Sequence, residues 1–259
     1  MNLRRFGAER WGDMSKEINM GLVDIHCHIL PSVDDGAQDL KTSLELLRMA
    51  HEDGISAMIL TPHYRGNYRK NTPPILHQHY ETLCEKVRQE LPGMELYLGS
   101  EAAWERDLGE KLAEGQVLTI HGSPYVLLEF EFGCMRSHVT DGVMDVVSCG
   151  YTPIIAHAER YGIFRKDKTL VDEVLSMGAL IQLNADSVLG KRGFGLKRCC
   201  HRLLKQGKAH FIASDAHDSQ NRKPLLGECF AYVSKRYGED YAWILMRDNA
   251  RALLSGKWS

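Results

Sequence analysis

No stretch of this 259-residue sequence is long and apolar enough to cross a bilayer, so membrane insertion is not expected. The first twenty residues, MNLRRFGAERWGDMSKEINM, carry charge throughout and lack the apolar core of a secretory signal. Arg4-Arg5 therefore does not read as a twin-arginine signal, and residues 1–19 read as a polar extension. Charge of one sign is not in excess either: 32 Lys and Arg face 34 Asp and Glu, and a net charge of −2 promises no nucleic-acid surface. The seven cysteines are odd in number and form no CxxC, which points to reduced thiols in the cytoplasm rather than extracellular disulfides. Cysteine-dependent phosphatase chemistry needs an arginine six places after the thiol. The residues there are Val33, Glu90, Thr140, Ile155, Lys205, Gln206 and Lys235, so that chemistry is excluded. No linker rich in Pro, Gly or Ser divides the chain, and residues 20–259 read as one domain.

What is present is a regular alternation. Apolar runs LVDIHCH, AMILTPH, MELYLGSE, YVLLEFE, PIIAH, ALIQLNA and HFIASDAH are each followed by a segment of helical period: 39–53, 75–91, 105–113, 137–149, 168–177, 196–206 and the C-terminal region. Leu76, Tyr80, Leu83, Val87 and Leu91 make one apolar stripe, and Gly54 and Gly178 fall where helices end. Such strand–helix units predict a parallel α/β architecture.

The metal-type residues fall at one place in that alternation. His26 and His28 end the first run, His63 the second, Glu101 the third, Glu129 the fourth, His157 the fifth, and Asp215 with His217 the seventh, while Asp35 lies in the loop after the first. In a parallel barrel those strand ends converge on the face where active sites are built. In a strand, His26 and His28 share a face and Cys27 looks the other way, so two imidazoles reach one ion. A lone His-x-His pair is a weak signal, since histidines at strand ends commonly serve only hydrogen bonds. Glu129 is more telling, because an ionised carboxylate in YVLLEF is costly to bury without a partner; Glu131 is its rival for the same face. His51, His77, His79, His121, His138, His201 and His210 end no predicted strand and read as surface or local hydrogen-bonding residues.

The segments DIHCHILPSVDDG, TPHY, GSE, LLEF, HAER, NADS and SDAH, in this order, resemble the PHP (polymerase and histidinol phosphatase) domain superfamily, and within it the bacterial manganese-dependent tyrosine phosphatases of capsule and exopolysaccharide clusters. The resemblance implies a distorted seven-stranded (β/α)7 barrel with three ions. One would take His26, His28, Glu101 and Asp215, a second Glu101, Glu129 and His157, and the third Asp35, His63 and His217. Manganese is the expected metal, and the nitrogen and oxygen donors suit iron or zinc as well. The resemblance also makes Arg160 and Arg222 the phosphate-gripping residues, a planar guanidinium being able to bind two oxygens at once. Ala158 and Ala250 stand where the family usually has proline.

The implied activity is hydrolysis of a phosphomonoester, with the phosphotyrosine tail of a cognate bacterial tyrosine kinase as substrate. Arg65, Arg69 and Lys70 in the loop Tyr64 to Pro74 are candidates to receive that tail. A histidinol-phosphate phosphatase would share the site and differ in substrate. A metal-dependent nuclease should favour a basic groove, an amidohydrolase an eighth strand, and a catalytically silent PHP adaptor domain a decayed ligand set. Oligomeric state, general acid and partner are not legible.

Overall fold

The computed structural model describes residues 21–65, 68 and 71–257. The 1–19 extension, Arg69 and Lys70 lie outside the described residues. Strands β1 (Leu22–Cys27), β2 (Ile55–Leu60) and β4 (Glu95–Leu98) form one parallel sheet in the order β1-β2-β4. The other is parallel too: β3 (His63–Tyr64), β5 (Glu101–Ala103), β6 (Tyr125–Glu129), β7 (Thr152–Ile155), β8 (Leu180–Asn184) and β9 (Phe211–Ala213), in chain order.

Nine strands come from seven apolar runs because two runs are broken. β2 and β3 are separated by Thr61-Pro62, where proline cannot donate to a ladder, and β4 and β5 by Gly99-Ser100. Pairing survives both breaks, with Gly99 N–H donating to Leu60 O at 2.9 Å and Glu101 N–H to Pro62 O at 3.1 Å. At the opposite seam Cys27 and Ala216 form an isolated bridge, with His28 N–H on Ala216 O at 2.8 Å and Asp215 N–H on His26 O at 2.9 Å. The result is a distorted, incompletely closed parallel barrel of PHP type.

Alternation along the strands sorts the interior. Tyr125 and Leu127 precede Glu129, Leu180 precedes Gln182 and Asn184, and Phe211 and Ala213 precede Asp215, all on the inner side. The inner apolar cluster therefore fills the N-terminal half of the barrel, with Ala250 and Leu253 packing into it, and polar side chains fill the C-terminal mouth. Val126, Leu128, Ile181, Leu183 and Ile212 point outward into the cluster shared with the helices. β1 departs from strict alternation: Asp24 to Cys27 spans three steps against two from Met58 to Leu60. This bulge lets Ile25 join the inner cluster while His26, next in the chain, reaches the mouth. Beyond it His28 shares the side of His26, and Cys27 packs outward.

The helices return the chain to the far end of the barrel. Leu40–Glu52 is capped by Asp39, whose carboxylate accepts from Thr42 N–H at 2.7 Å, and Lys168–Ser176 by Asp167. Gly54 and Gly178 follow these helices with φ of 90° and 97°, a conformation that glycine adopts without cost.

Candidate metal centre

The mouth gathers five imidazoles and four carboxylates. His28, Asp35, His63 and His217 form one group of potential ligand atoms, all within 4.8 Å of one another. His26, His28 and Glu101 form a second, His26, His157 and Asp215 a third, and His63, Glu101 and Glu129 a fourth. Together these groups contain the eight side chains singled out at the strand ends and Asp35 from the loop after the first. The groups overlap: His157 lies with His26 and Asp215 while its Nε2 is also 2.8 Å from Glu101 Oε1 and 3.8 Å from Glu129 Oε1, and Glu129 lies with His63 as well. Glu131 follows the end of β6 and is exposed.

The geometry of these donors fits cations. His26 Nε2 and His28 Nε2 lie 3.2 Å apart, facing each other as well as Glu101. His63 Nδ1 and Glu101 Oε2 are separated by 2.8 Å, yet neither makes a properly directed hydrogen bond. His217 Nε2 is buried without a hydrogen-bond partner, 3.6 Å from Asp35 Oδ1. Buried polar atoms are normally satisfied, and lone pairs converging in this way are what divalent ions relieve. No sulfur belongs to these groups among the described residues, which suits manganese, iron or zinc.

Outer residues fix the rings. Gln182 Oε1 meets His26 Nδ1 at 3.1 Å and accepts from His157 N–H at 2.7 Å. Asp34, whose side chain is buried, meets His28 Nδ1 at 2.7 Å and accepts from His63 N–H at 3.0 Å. Asn184 donates to Asp215 Oδ2 at 2.8 Å, and Asp24 accepts from the backbone and hydroxyl of Ser214. The loop carrying Asp34 and Asp35 is pressed onto β1 at Gly36, where an added Cβ would stand 1.9 Å from His28 O. His157 and Asp215 have positive φ, 32° and 56°, a strained conformation characteristic of functional sites.

Charge balances internally. Burial depresses the basicity of His26 and His63, but nearby carboxylates, Glu101 foremost, outweigh it and hold them at about 9 and about 10. Burial would raise Glu101 and Asp215, but His26 pulls both down, aided by His63 at Glu101 and by Arg222 at Asp215. Burial and the Glu101 charge raise Glu129, whereas burial and the His28 charge lower His217 to about 4.

Arg160 and Arg222 stand beside this cluster, donating to Asp215 Oδ2 at 3.2 Å and Oδ1 at 2.6 Å. Arg65 turns inward: its Nη1 lies 3.0 Å from both oxygens of Glu129 and its Nη2 3.0 Å from His63 Nε2. Sequence reasoning did not single out Asp34, Gln182, Asn184 or Asp24. The alternation of polar residues in ALIQLNA is the signal that could have found two of them.

A parallel barrel with nitrogen and oxygen donors clustered at its C-terminal mouth defines a hydrolase of the clustered-metal class. The chain belongs to the family described as capsular polysaccharide synthesis, CpsB/CapC, which matches residues 22–255, and with it to the PHP-domain superfamily. It is 33% identical over 233 residues to the tyrosine-protein phosphatase YwqE of Bacillus subtilis, covering 90% of this chain and 91% of that protein. Identity to the tyrosine-protein phosphatase CpsB of Streptococcus agalactiae is 27% over 242 residues, 92% of this chain and 100% of the other. A chain from the crystal structures of YwqE from Bacillus subtilis and CpsB from Streptococcus pneumoniae, described as metal-dependent tyrosine phosphatases, superposes with a TM-score of 0.86 at 32% identity. That match covers 91% of this chain and 95% of the other.

Proposed function

We propose that the chain is a manganese-dependent protein-tyrosine phosphatase that acts in the cytoplasm on the phosphotyrosine tail of a cognate bacterial tyrosine kinase and so regulates capsular or exopolysaccharide synthesis. The observation that carries this reading is the convergence of nine candidate ligands beside two arginines at the mouth of the barrel. The names of the relatives supply substrate and setting, and seven free cysteines support a reducing compartment.

His26, His28, Asp35, His63, Glu101, Glu129, His157, Asp215 and His217 would hold three ions, with Glu101 shared. Bound divalent cations supply an acidified water at neutral pH and positive charge for the transferring oxygens. The protein's own part is orientation. Gln182 and Asp34 fix the rings of His26 and His28 so that each Nε2 faces the cluster, and Asn184 holds Asp215. Arg160 and Arg222 exchange Asp215 for the phosphate oxygens, which their planar forks match. A phenol leaves with a pKa near ~10, so the demand for a general acid is low.

The test measures phosphate release from a phosphotyrosine kinase-tail peptide and from histidinol phosphate, with manganese and with chelator, beside a His26→Ala/His28→Ala variant. Manganese-dependent turnover favouring the peptide is expected. Preference for histidinol phosphate would reassign the substrate, and turnover of neither would sink the phosphatase reading.

A further inference from the structure

A path leads from the cluster of candidate ligands toward the surface past Arg160 and Arg192. Arg160, Asn184, Arg192, Ser214, Asp215 and Arg222 line a cavity of about 250 Å³, so it begins at a candidate ligand. Arg160, Arg192 and Leu196 also line an open groove of about 430 Å³, whose other walls include Phe132, Arg165 and Phe194. The two spaces share one wall, and that wall carries two guanidinium groups.

The groove combines apolar surface with positive charge. Phe132 is 49% exposed and Phe194 79%, and the other described phenylalanines are buried or half-buried. Rings left in water forgo the stabilisation that burial gives an apolar side chain, so two along one groove point to a partner surface. Phe132 is held in place: the Arg160 guanidinium lies 4.4 Å from its ring centre, and the rings of His157 and Tyr161 are each 6.0 Å away. Arg165 donates to the backbone oxygens of Glu159 and Arg160 at 3.0 and 2.7 Å and meets no carboxylate among the described residues. Arg192 pairs with Asp186 and donates to Asn221 O at 3.2 Å. Arg160 is committed to Asp215, so Arg165 brings charge that nothing in the groove neutralises.

We infer that this groove binds the peptide segment flanking the phosphotyrosine and selects an acidic residue beside an apolar one. The inference rests on the phosphatase reading above and adds a sequence preference to it. Arg165 and Arg192 receive the acidic side chain, while Phe194 and Phe132 cover the apolar one. Arg160 joins the halves, with its charge toward the phosphate site and its face on Phe132. The loop around Arg65 and Arg69 is the competing place for that segment.

The experiment uses the manganese-loaded protein and two phosphotyrosine peptides that differ only in their flanks, one with Glu and Leu, the other with Gln and Gly. Each is also made with phosphonodifluoromethyl-phenylalanine, which cannot be hydrolysed, and binding is read by fluorescence anisotropy. The wild type should prefer the Glu-Leu peptide by about tenfold in kcat/KM and in Kd, the effect of one well-placed anchor. Phe194→Ser and Arg192→Gln, both at exposed positions, should each bring the two ratios close to one, while Arg69→Gln leaves them as in the wild type. Equal affinity for both peptides in the wild type would overturn the inference, as would loss of preference only in Arg69→Gln. So would a Phe194→Ser protein that changes its sedimentation coefficient but not its peptide ratio, which would make the groove a contact between copies of this chain. If the binding preference holds but no peptide or aryl phosphate releases phosphate, the groove stands and the phosphatase reading falls.

Discussion

His26 is the last residue but one of β1, at the mouth of the barrel, and His210 stands just ahead of β9 at the other end, yet burial pushes both rings toward the neutral form. At His210 desolvation drives the shift, and the pKa falls to about 4. At His26 the charges of Glu101 and Asp215 outweigh burial and hold it at about 9. The N-terminal half of the barrel is thus an apolar core complete in itself, built on Ile25, Ile59, Leu127, Ile154 and Phe211. The mouth spends the same burial on charges that cations are suited to share. Damage to the mouth should therefore appear as lost chemistry, and damage to the core as lost stability.

The widest separation should come from His26→Ala/His28→Ala. Loss of these ligands is expected to cut manganese-dependent phosphate release by about a thousandfold or more, several kcal/mol of transition-state stabilisation. It should also abolish the rise in Tm on adding manganese, which for the wild type at a thousandfold excess over Kd corresponds to about 4 kcal/mol. A wild type whose Tm is the same with manganese and with chelator would make the mouth a polar network rather than a metal centre. At the other end, Phe211→Ala removes a fully buried ring from the inner cluster and should cost about 3–5 kcal/mol in urea unfolding. Activity per folded molecule should persist, and its loss would show that the two ends are not separable.

The nine candidate ligands were legible because each of them but Asp35 ends an apolar run and a parallel barrel collects such ends. The two chain breaks were only half legible: Pro62 announces one, whereas Gly99-Ser100 bends the other inside a run that otherwise reads as continuous. The β1 bulge was hidden, since DIHCH alternates as a regular strand does and the extra residue shows only against Met58 and Leu60. Asp34 and Asp35 are adjacent acids in a loop without a period. Which one lies buried on His28 and which stays 46% exposed is decided by the turn at Gly36. Arg192 and Phe194 sit in KRGFG, a stretch that reads as polar loop until the fold brings it beside Arg160.

Asp34 sharpens the comparison inside the mouth, because it orients a ligand without belonging to any ligand group. Asp34→Asn should weaken manganese binding about ten- to a hundredfold, the usual cost of losing a residue behind a metal-bound imidazole. Competition titration against a fluorescent chelator measures it, and excess manganese should restore most of the activity. Activity that stays low at saturating metal would place Asp34 in the chemistry itself.

The smallest expected effect lies at the apolar end. His210 Nδ1 accepts from Ile181 N–H at 3.1 Å, an arrangement available only to the neutral ring. Its folded pKa of about 4 is below the ordinary 6.5, so between those values the unfolded chain binds the extra proton. The stability His210 contributes is thus present above pH 6.5 and is lost as pH falls toward 4. From pH 7 to pH 5 the loss is at most about 2 kcal/mol, and partial exposure of the residue brings it nearer to about 1 kcal/mol. His210→Gln, which has a side-chain oxygen that can accept from Ile181, should lose correspondingly less between those two pH values when both proteins are unfolded in urea with chelator present. The difference between the two proteins isolates His210 from the mouth, whose own titrating groups are common to both. If they lose stability in parallel, acid sensitivity belongs to the mouth alone, and the apolar end is indifferent to the His210 ring set against it.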